Sequence, residues 1–506
     1  SNMADKKNEK SKETLETNMN KKDFWFFIFV VILLSLLVRC CVSLNPYSGA
    51  GKPPMFGDYE AQRHWMEITF NLPIEEWYVN TTSNDLQYWG LDYPPLTAYH
   101  SWLCGYIANR INPAWVKLNT SRGFESSEHK LFMRYTVLVA DMLIYFPAIY
   151  VFCSIFYKKG SQISQIKMIV TIFVYPGLIL IDHGHFQYNC ISLGLALWGI
   201  IGVIKDHDIF GSIMFSLALN YKQMELYHSL PFFSFLLGKA LGQKSWLKSV
   251  FKIFCLGSTV LITFCLCWLP FLKEIQLAGQ VLHRVFPFAR GLYEDKVANI
   301  WCSLSVFIKL QNIFSSRSLL AICGFLTLVF LLPSNVMLGL RPSPKAFLLA
   351  LVNSSLAFFL FSFHVHEKSI LLVTLPASLL LPLQPLEITW FLSLASFSMI
   401  PLLEKDGLLL AYIPCMLIFL LLTFSFQLDF KRTPTVTKFL FLFSMSCCVL
   451  LHFIRHMILP PRKYPDIFPL LISMYSCGHF ILFLIYSHFL QYNEYCTLVD
   501  GVKKNV

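Results

Sequence analysis

The run Trp25-Phe-Phe-Ile-Phe-Val-Val-Ile-Leu-Leu-Ser-Leu-Leu-Val-Arg-Cys-Cys-Val-Ser-Leu44 carries one charge, Arg39, in about 20 residues. At 1.5 Å of rise per residue, a helix of about that length crosses the roughly 30 Å hydrocarbon core of a bilayer. The competing reading is a cleaved signal peptide, which requires a shorter apolar stretch and a small-x-small cleavage site. Here the stretch is long and runs into Asn45 and Pro46 without such a site. A retained first transmembrane helix follows. Apolar runs recur at 131–156, 166–181, 188–204, 209–219, 226–237, 250–272, 319–340, 347–363, 370–383, 390–402, 408–426, 437–459 and 465–489. Several fall short of a full crossing. The chain is expected to be an all-α integral membrane protein with roughly 12–15 transmembrane helices.

Composition agrees. Hydrophobic residues make up 55% of the chain and charged residues 14%, against roughly 25% charged in soluble domains. So few charges cannot cover a water-exposed surface, and a soluble multidomain architecture is excluded. The net charge of +11 resides in tails and short loops, not along a basic stripe, so it reports membrane topology and not a nucleic-acid partner. The 15 Cys are scattered through apolar stretches with no CxxC pair, which makes them packed small hydrophobes and not zinc ligands.

Residues 1–23 are polar and lack aromatics before the apolar run, the signature of a disordered tail. Residues 24–490 form one membrane body, and 491–506 a second tail. Lys6 to Lys22, then Lys158, Lys159 and Lys167, and finally Lys503 and Lys504 mark cytoplasmic ends. The longest polar connection, 45–93, then falls on the opposite face. The sequons Asn80-Thr-Thr and Asn119-Thr-Ser fit that side, weakly, since three-residue motifs recur by chance.

Within this connection, Gly57-Asp-Tyr-Glu-Ala-Gln-Arg-His-Trp65 groups Asp58, Glu60, Arg63 and His64, and Gln87-Tyr-Trp-Gly-Leu-Asp-Tyr-Pro-Pro95 adds Asp92. Charged groups do not rest in lipid, so both clusters face water or a polar cleft. A solvated loop with interfacial Trp and Tyr explains the aromatics, but not the tight acid–base grouping. Two more clusters interrupt apolar runs: Asp182-His-Gly-His-Phe-Gln-Tyr-Asn189 and His364-Val-His-Glu-Lys368. Arg284, Arg290, Glu294, Asp295 and Lys296 form a charged patch. A carboxylate among several cations suits transfer of a sugar from a lipid phosphate. The phosphate leaves as an anion that needs cationic stabilisation, and the attacking hydroxyl needs a base. Asp58-x-Glu60 offers an alternative as carboxylate ligands of a divalent ion. That set is incomplete, and the cations can replace the ion, which favours a metal-independent reaction with no cofactor.

At these residues the sequence resembles the dolichyl-phosphate-glucose glucosyltransferases. The resemblance extends through Tyr221-Lys-Gln-Met224, Phe286-Pro-Phe-Ala-Arg-Gly291, Glu294-Asp-Lys-Val-Ala-Asn299 and His366-Glu-Lys368, in order from Tyr47 to Leu372. The first-glucose branch is closer than the second-glucose branch at the first, Lys222 and Glu294 motifs. The resemblance implies a GT-C type fold whose first lumenal loop carries interfacial helices over a cleft, in the endoplasmic-reticulum membrane. It implies dolichyl phosphate glucose as donor, a dolichyl-pyrophosphate oligosaccharide ending in mannose as acceptor, and an alpha-1,3 bond formed with inversion. Carried over residue by residue, it makes Asp58 the base, with His366 near the donor phosphate beside Lys368 or Arg290. Glu60, Arg63, Asp92 and His185 are further substrate-binding expectations. Lys503 and Lys504 resemble a dilysine retrieval signal. A transporter, with ionisable residues on broken helices at the midplane, and a structural subunit of another enzyme are the readings from other classes.

Overall fold

The structure, a computed structural model, describes residues 19–156, 162–286, 296–362, 365–426 and 433–503. Arg290, Glu294, Asp295 and His364 lie outside them. Among the described residues there is no β-strand, in keeping with a hydrocarbon environment where helices satisfy their own backbone groups.

In chain order the helices are α1 (Lys21–Ser43), α2 (Asp58–Asn71), α3 (Pro95–Ile111), α4 (Ser127–Phe156), α5 (Gln162–Phe173), α6 (Pro176–Phe186), α7 (Asn189–Ile204), α8 (Asp208–Tyr221), α9 (Leu226–Leu241) and α10 (Trp246–Lys273). There follow α11 (Ile275–Val285), α12 (Ile300–Ser305), α13 (Ser316–Leu340), α14 (Pro344–Phe361), α15 (Leu371–Leu379), α16 (Pro385–Lys405), α17 (Leu409–Phe426), α18 (Thr435–Met457) and α19 (Ile467–Lys503). Among the described residues, nine helices are long and apolar enough to cross a membrane, or ten if α5 and α6, bent by 40° at their junction, form one span. The expected 12–15 counted short helices as well. An apolar run reports burial in protein as readily as in lipid, and α7 and α15 are buried inside the bundle along nearly their whole length.

α14 and α16 form the centre, each buried over 83% of its most apolar stretch, whereas α10 and α18 are buried over only 11% and 17% and present Phe and Leu outward as lipid-facing helices do. The last helix continues past the expected boundary at 490 because Gln491 is buried. Its amide accepts from Ser334 Oγ (2.5 Å) and Asn353 Nδ2 (2.8 Å) and donates to the Ser334 carbonyl (2.8 Å).

Arg39, the one charge of the opening run, is buried and satisfied. Its Nε meets Asp141 Oδ2 at 2.5 Å, and its Nη1 donates to the Phe173 carbonyl at 2.8 Å. His183 Nε2 lies 3.0 Å from the same Asp141 oxygen. A buried charge without such partners is strongly destabilising, so these bonds lock α1, α4 and α6 together.

The segment from 45 to 126 lies over one end of this bundle. Its helices α2 and α3 pack closely because Gly105 of α3 has no Cβ; one there would stand 2.6 Å from the Met66 carbonyl. Trp65, Trp77, Tyr78, Leu91, Phe271 and Val281 make a separate apolar core for this layer, drawing in α11.

Candidate active site

Between that layer and the bundle lies a cleft of about 1280 Å³, lined by Asp58, Asp92, His185, Lys222, His366 and Lys368 among others. Asp58 is the first residue of α2, at a helix N-terminus, where a carboxylate is electrostatically favoured. The preceding Gly57 is demanded by close approach: a Cβ there would stand 2.5 Å from Ser48 Oγ. Ser48 Oγ accepts from the Asp58 amide, and the Ser48 amide donates to the His185 carbonyl, which ties the start of α2 to the end of α6.

α6 ends in a π-helical turn, Leu180–Phe186, with Phe186 at φ 91°. A bulky residue at positive φ is unusual and marks a backbone held by its surroundings. The turn separates its two imidazoles: His183 faces Asp141 inside the bundle, while His185 faces the cleft.

Three donors converge on one oxygen of Asp58: His185 Nε2 at 3.0 Å, Gln187 Nε2 at 2.6 Å and Lys368 Nζ at 2.5 Å. The other oxygen, Oδ1, takes no hydrogen bond among the described residues, and the side chain keeps 25% of its exposure. Burial alone would raise the carboxyl, but Lys368 and His185, by charge and hydrogen bond, outweigh it and hold Asp58 well below the usual carboxylate range. Behind His185, its Nδ1 meets Asp406 Oδ2 at 2.5 Å, so the imidazole bridges two carboxylates. Lys222 Nζ donates to Asn189 Oδ1 at 2.5 Å, and burial with the charge of Lys368 lowers this lysine to about 8.

The sequence-predicted residues separate into two groups. Asp58, Asp92, His185, His366 and Lys368 all line the cleft. Asp92 also supplies the carbonyl that accepts from Gln223 Nε2 at 3.0 Å. Glu60 and Arg63 turn away from it. Arg63 is fully buried and donates to Glu60 through Nε and Nη2, both at 2.7 Å, to Glu67 at 2.7 Å and to Ser121 Oγ at 2.7 Å. Glu60 Oε1 also accepts from Tyr88 Oη and the Gly123 amide. Burial pushes Glu67 up, but hydrogen bonds and charge from His64 and Arg63 bring it down to about 2. This cluster ties α2 to the segment around 115–123 and does not converge with Asp58 on a common ligand. Among the described residues, no three His, Cys, Asp or Glu side chains stand as a metal site.

Asp406, Gln187, Asn189 and Lys222 were not singled out as site residues from sequence. Gln187 and Asn189 sit inside the motif that ends at Asn189. For Asp406 the signal was Glu404-Lys-Asp-Gly407, a charged break between two apolar runs.

Comparison with known proteins adds independent findings. A family model described as the ALG6, ALG8 glycosyltransferase family matches residues 33–486. A mouse (Mus musculus) protein named dolichyl pyrophosphate Man9GlcNAc2 alpha-1,3-glucosyltransferase is 53% identical over 486 residues, covering 91% of this chain and 96% of its own. The chicken (Gallus gallus) protein of the same name is 51% identical with the same coverage. A Caenorhabditis elegans protein given that name as probable is 43% identical, covering 92% of this chain and 89% of its own.

Proposed function

The chain belongs to the ALG6, ALG8 glycosyltransferase family, and from that premise we propose that it transfers glucose to dolichyl pyrophosphate Man9GlcNAc2. The donor is dolichyl phosphate glucose, and the product carries the first glucose in an alpha-1,3 bond to the terminal mannose. The fold is of the GT-C type, the protein is a multi-pass membrane enzyme of the endoplasmic reticulum, and the cleft faces the lumen.

One observation carries the chemistry: cleft-lining Asp58 has one oxygen held by three donors and the other, among the described residues, without a hydrogen bond. Oδ1 accepts the proton of the attacking mannose hydroxyl. The new bond forms at the glucose anomeric carbon as the bond from that carbon to the phosphate oxygen breaks on the opposite face, giving inversion. Dolichyl phosphate departs as an anion, stabilised by Lys368 and His366 at the cleft wall. Lys368 serves both partners. As it turns to the donor phosphate, Asp58 loses the cation that keeps its basicity low, so donor binding strengthens the base.

A transporter would hold its ionisable groups on broken helices at the membrane midplane; here the cleft-lining groups gather at helix ends and in the covering layer. The second-glucose reaction is disfavoured because the relatives are named for an unglucosylated acceptor. The test is transfer by purified protein from dolichyl phosphate glucose to acceptors carrying no glucose or one. Only the unglucosylated acceptor should gain glucose. Preference for the monoglucosylated acceptor would reassign the branch, and no transfer to either would remove the reading.

A further inference from the structure

Asp58 is linked to a second lysine by a chain of side-chain amides. Lys222 Nζ donates to Asn189 Oδ1 at 2.5 Å, Asn189 Nδ2 donates to Gln187 Oε1 at 3.0 Å, and Gln187 Nε2 donates to Asp58 Oδ2 at 2.6 Å. Every bond runs in the same direction, from the cation toward the carboxylate. The orientation of each amide is fixed by its acceptors. Asn189 Nδ2 also donates to Asp182 Oδ1 at 2.8 Å, so turning that amide over would set two oxygens against each other. Asp182 is itself held by the backbone amides of Asn189 and Cys190, at 3.1 and 2.7 Å. Reversing Gln187 would point its oxygen at the Asp58 carboxylate.

We propose that Lys222 is a positioning residue for the transfer reaction, acting on Asp58 through Asn189 and Gln187. Aligned hydrogen bonds polarise one another in a low-dielectric site. A cation at the start of the chain strengthens the last bond, which holds Asp58 Oδ2 so that Oδ1 faces the acceptor hydroxyl. Lys222 suits this place. It follows the last residue of α8, its Nζ lies 5.6 Å from the centre of the Tyr93 ring, and it is the charged donor at the start of this relay. The alternative role for a cleft-lining lysine is direct contact with a substrate anion, and the two roles separate kinetically.

The inference rests on the glucosyl-transfer reading and is tested by a double-mutant cycle on the purified full-length chain, with dolichyl phosphate glucose as donor. The variants are Lys222→Met, Gln187→Met and both together, each checked for folding by thermal unfolding. Losing a hydrogen bond to a charged group lowers the rate by roughly 10- to 100-fold. Lys222→Met should lower kcat by that order and leave the donor KM within about twofold. The double variant should be no slower than Gln187→Met alone, since the lysine acts only through that glutamine. If Lys222→Met does not fold, Lys222→Gln, which keeps an N–H for Asn189, takes its place with a smaller loss and the same non-additivity. Losses that multiply, or a raised donor KM with kcat unchanged, would overturn the inference. A wild-type chain without transfer would instead overturn the functional reading beneath it.

Discussion

Asp58 and Arg63 stand on the same helix, a turn and a half apart, and the surroundings of each separate chemistry from architecture. Around Arg63 the charges are paired within the protein: the guanidinium meets Glu60, Glu67 and Ser121, all buried. Around Asp58 the pairing is one-sided: three donors meet Oδ2 and, among the described residues, none meets Oδ1, in a side chain that lines the cleft. The lesson is that a cluster of acids and bases becomes a site when one acceptor is left for something else. Arg39 with Asp141 and His183 shows that the leftover acceptor must also reach a cleft: Asp141 Oδ1 has no hydrogen-bond partner among the described residues, but this ion cluster is buried and lines no cleft.

The largest expected effect comes from removing the open acceptor. Asp58→Asn should slow transfer by about 10²- to 10⁴-fold, the usual contribution of a general base, while thermal unfolding stays at the wild-type temperature. Next is Lys368→Met, which removes the cation proposed to meet the leaving phosphate and one of the three donors. Transfer should fall by roughly 10²-fold or more. Because Lys368 helps hold Asp58 ionised, its removal raises the Asp58 pKa, and the acid limb of kcat/KM should move to higher pH. A limb that stays in place would break the link between the two residues.

The Arg63 side of the comparison predicts effects on stability. Arg63→Met leaves Glu60 and Glu67 buried without their partner and should destabilise the protein by about 3–5 kcal/mol, read as a lower unfolding temperature. The molecules that remain folded should still transfer glucose. A smaller signal concerns pH. Glu67 is lowered from 4.5 to about 2, so its stabilisation is complete above pH 4.5 and is lost as pH falls toward 2. Glu67→Gln should flatten the unfolding temperature across that range, and an unchanged slope would remove Glu67 from the lock.

Much of this was legible in the sequence for physical reasons. Long apolar runs such as Trp25 to Leu44 report their environment directly, and the motifs around Asp58, His185 and His366 mark polar groups at the ends of such runs. α3 escaped notice because Tyr99, His100 and Arg110 dilute its apolar face, and its packing depends on small residues, Gly105 and Ala108, that leave no hydropathy signal. The spacing of Glu60, Arg63 and Glu67 at i, i+3 and i+7 already allowed an internal ion cluster on one helix face. The grouping with Asp58 pointed instead to Glu60 and Arg63 as substrate-binding residues. Asp406 was out of reach because its contact with His185 spans 221 residues, a pairing only the fold creates. Length and composition single out nine or ten crossings among the described residues and leave the shorter apolar helices unassigned, because burial by protein and burial by lipid select the same side chains.

The most direct measurement is single-turnover transfer from dolichyl phosphate glucose to the unglucosylated Man9GlcNAc2 acceptor by Asp58→Asn and Glu60→Gln side by side, with thermal unfolding of each. The expected result is an Asp58→Asn protein that is fully folded and inactive, beside a Glu60→Gln protein that unfolds earlier yet transfers at close to the wild-type rate per folded molecule. An active Asp58→Asn with an inactive, stable Glu60→Gln would contradict the account and move the base to Glu60.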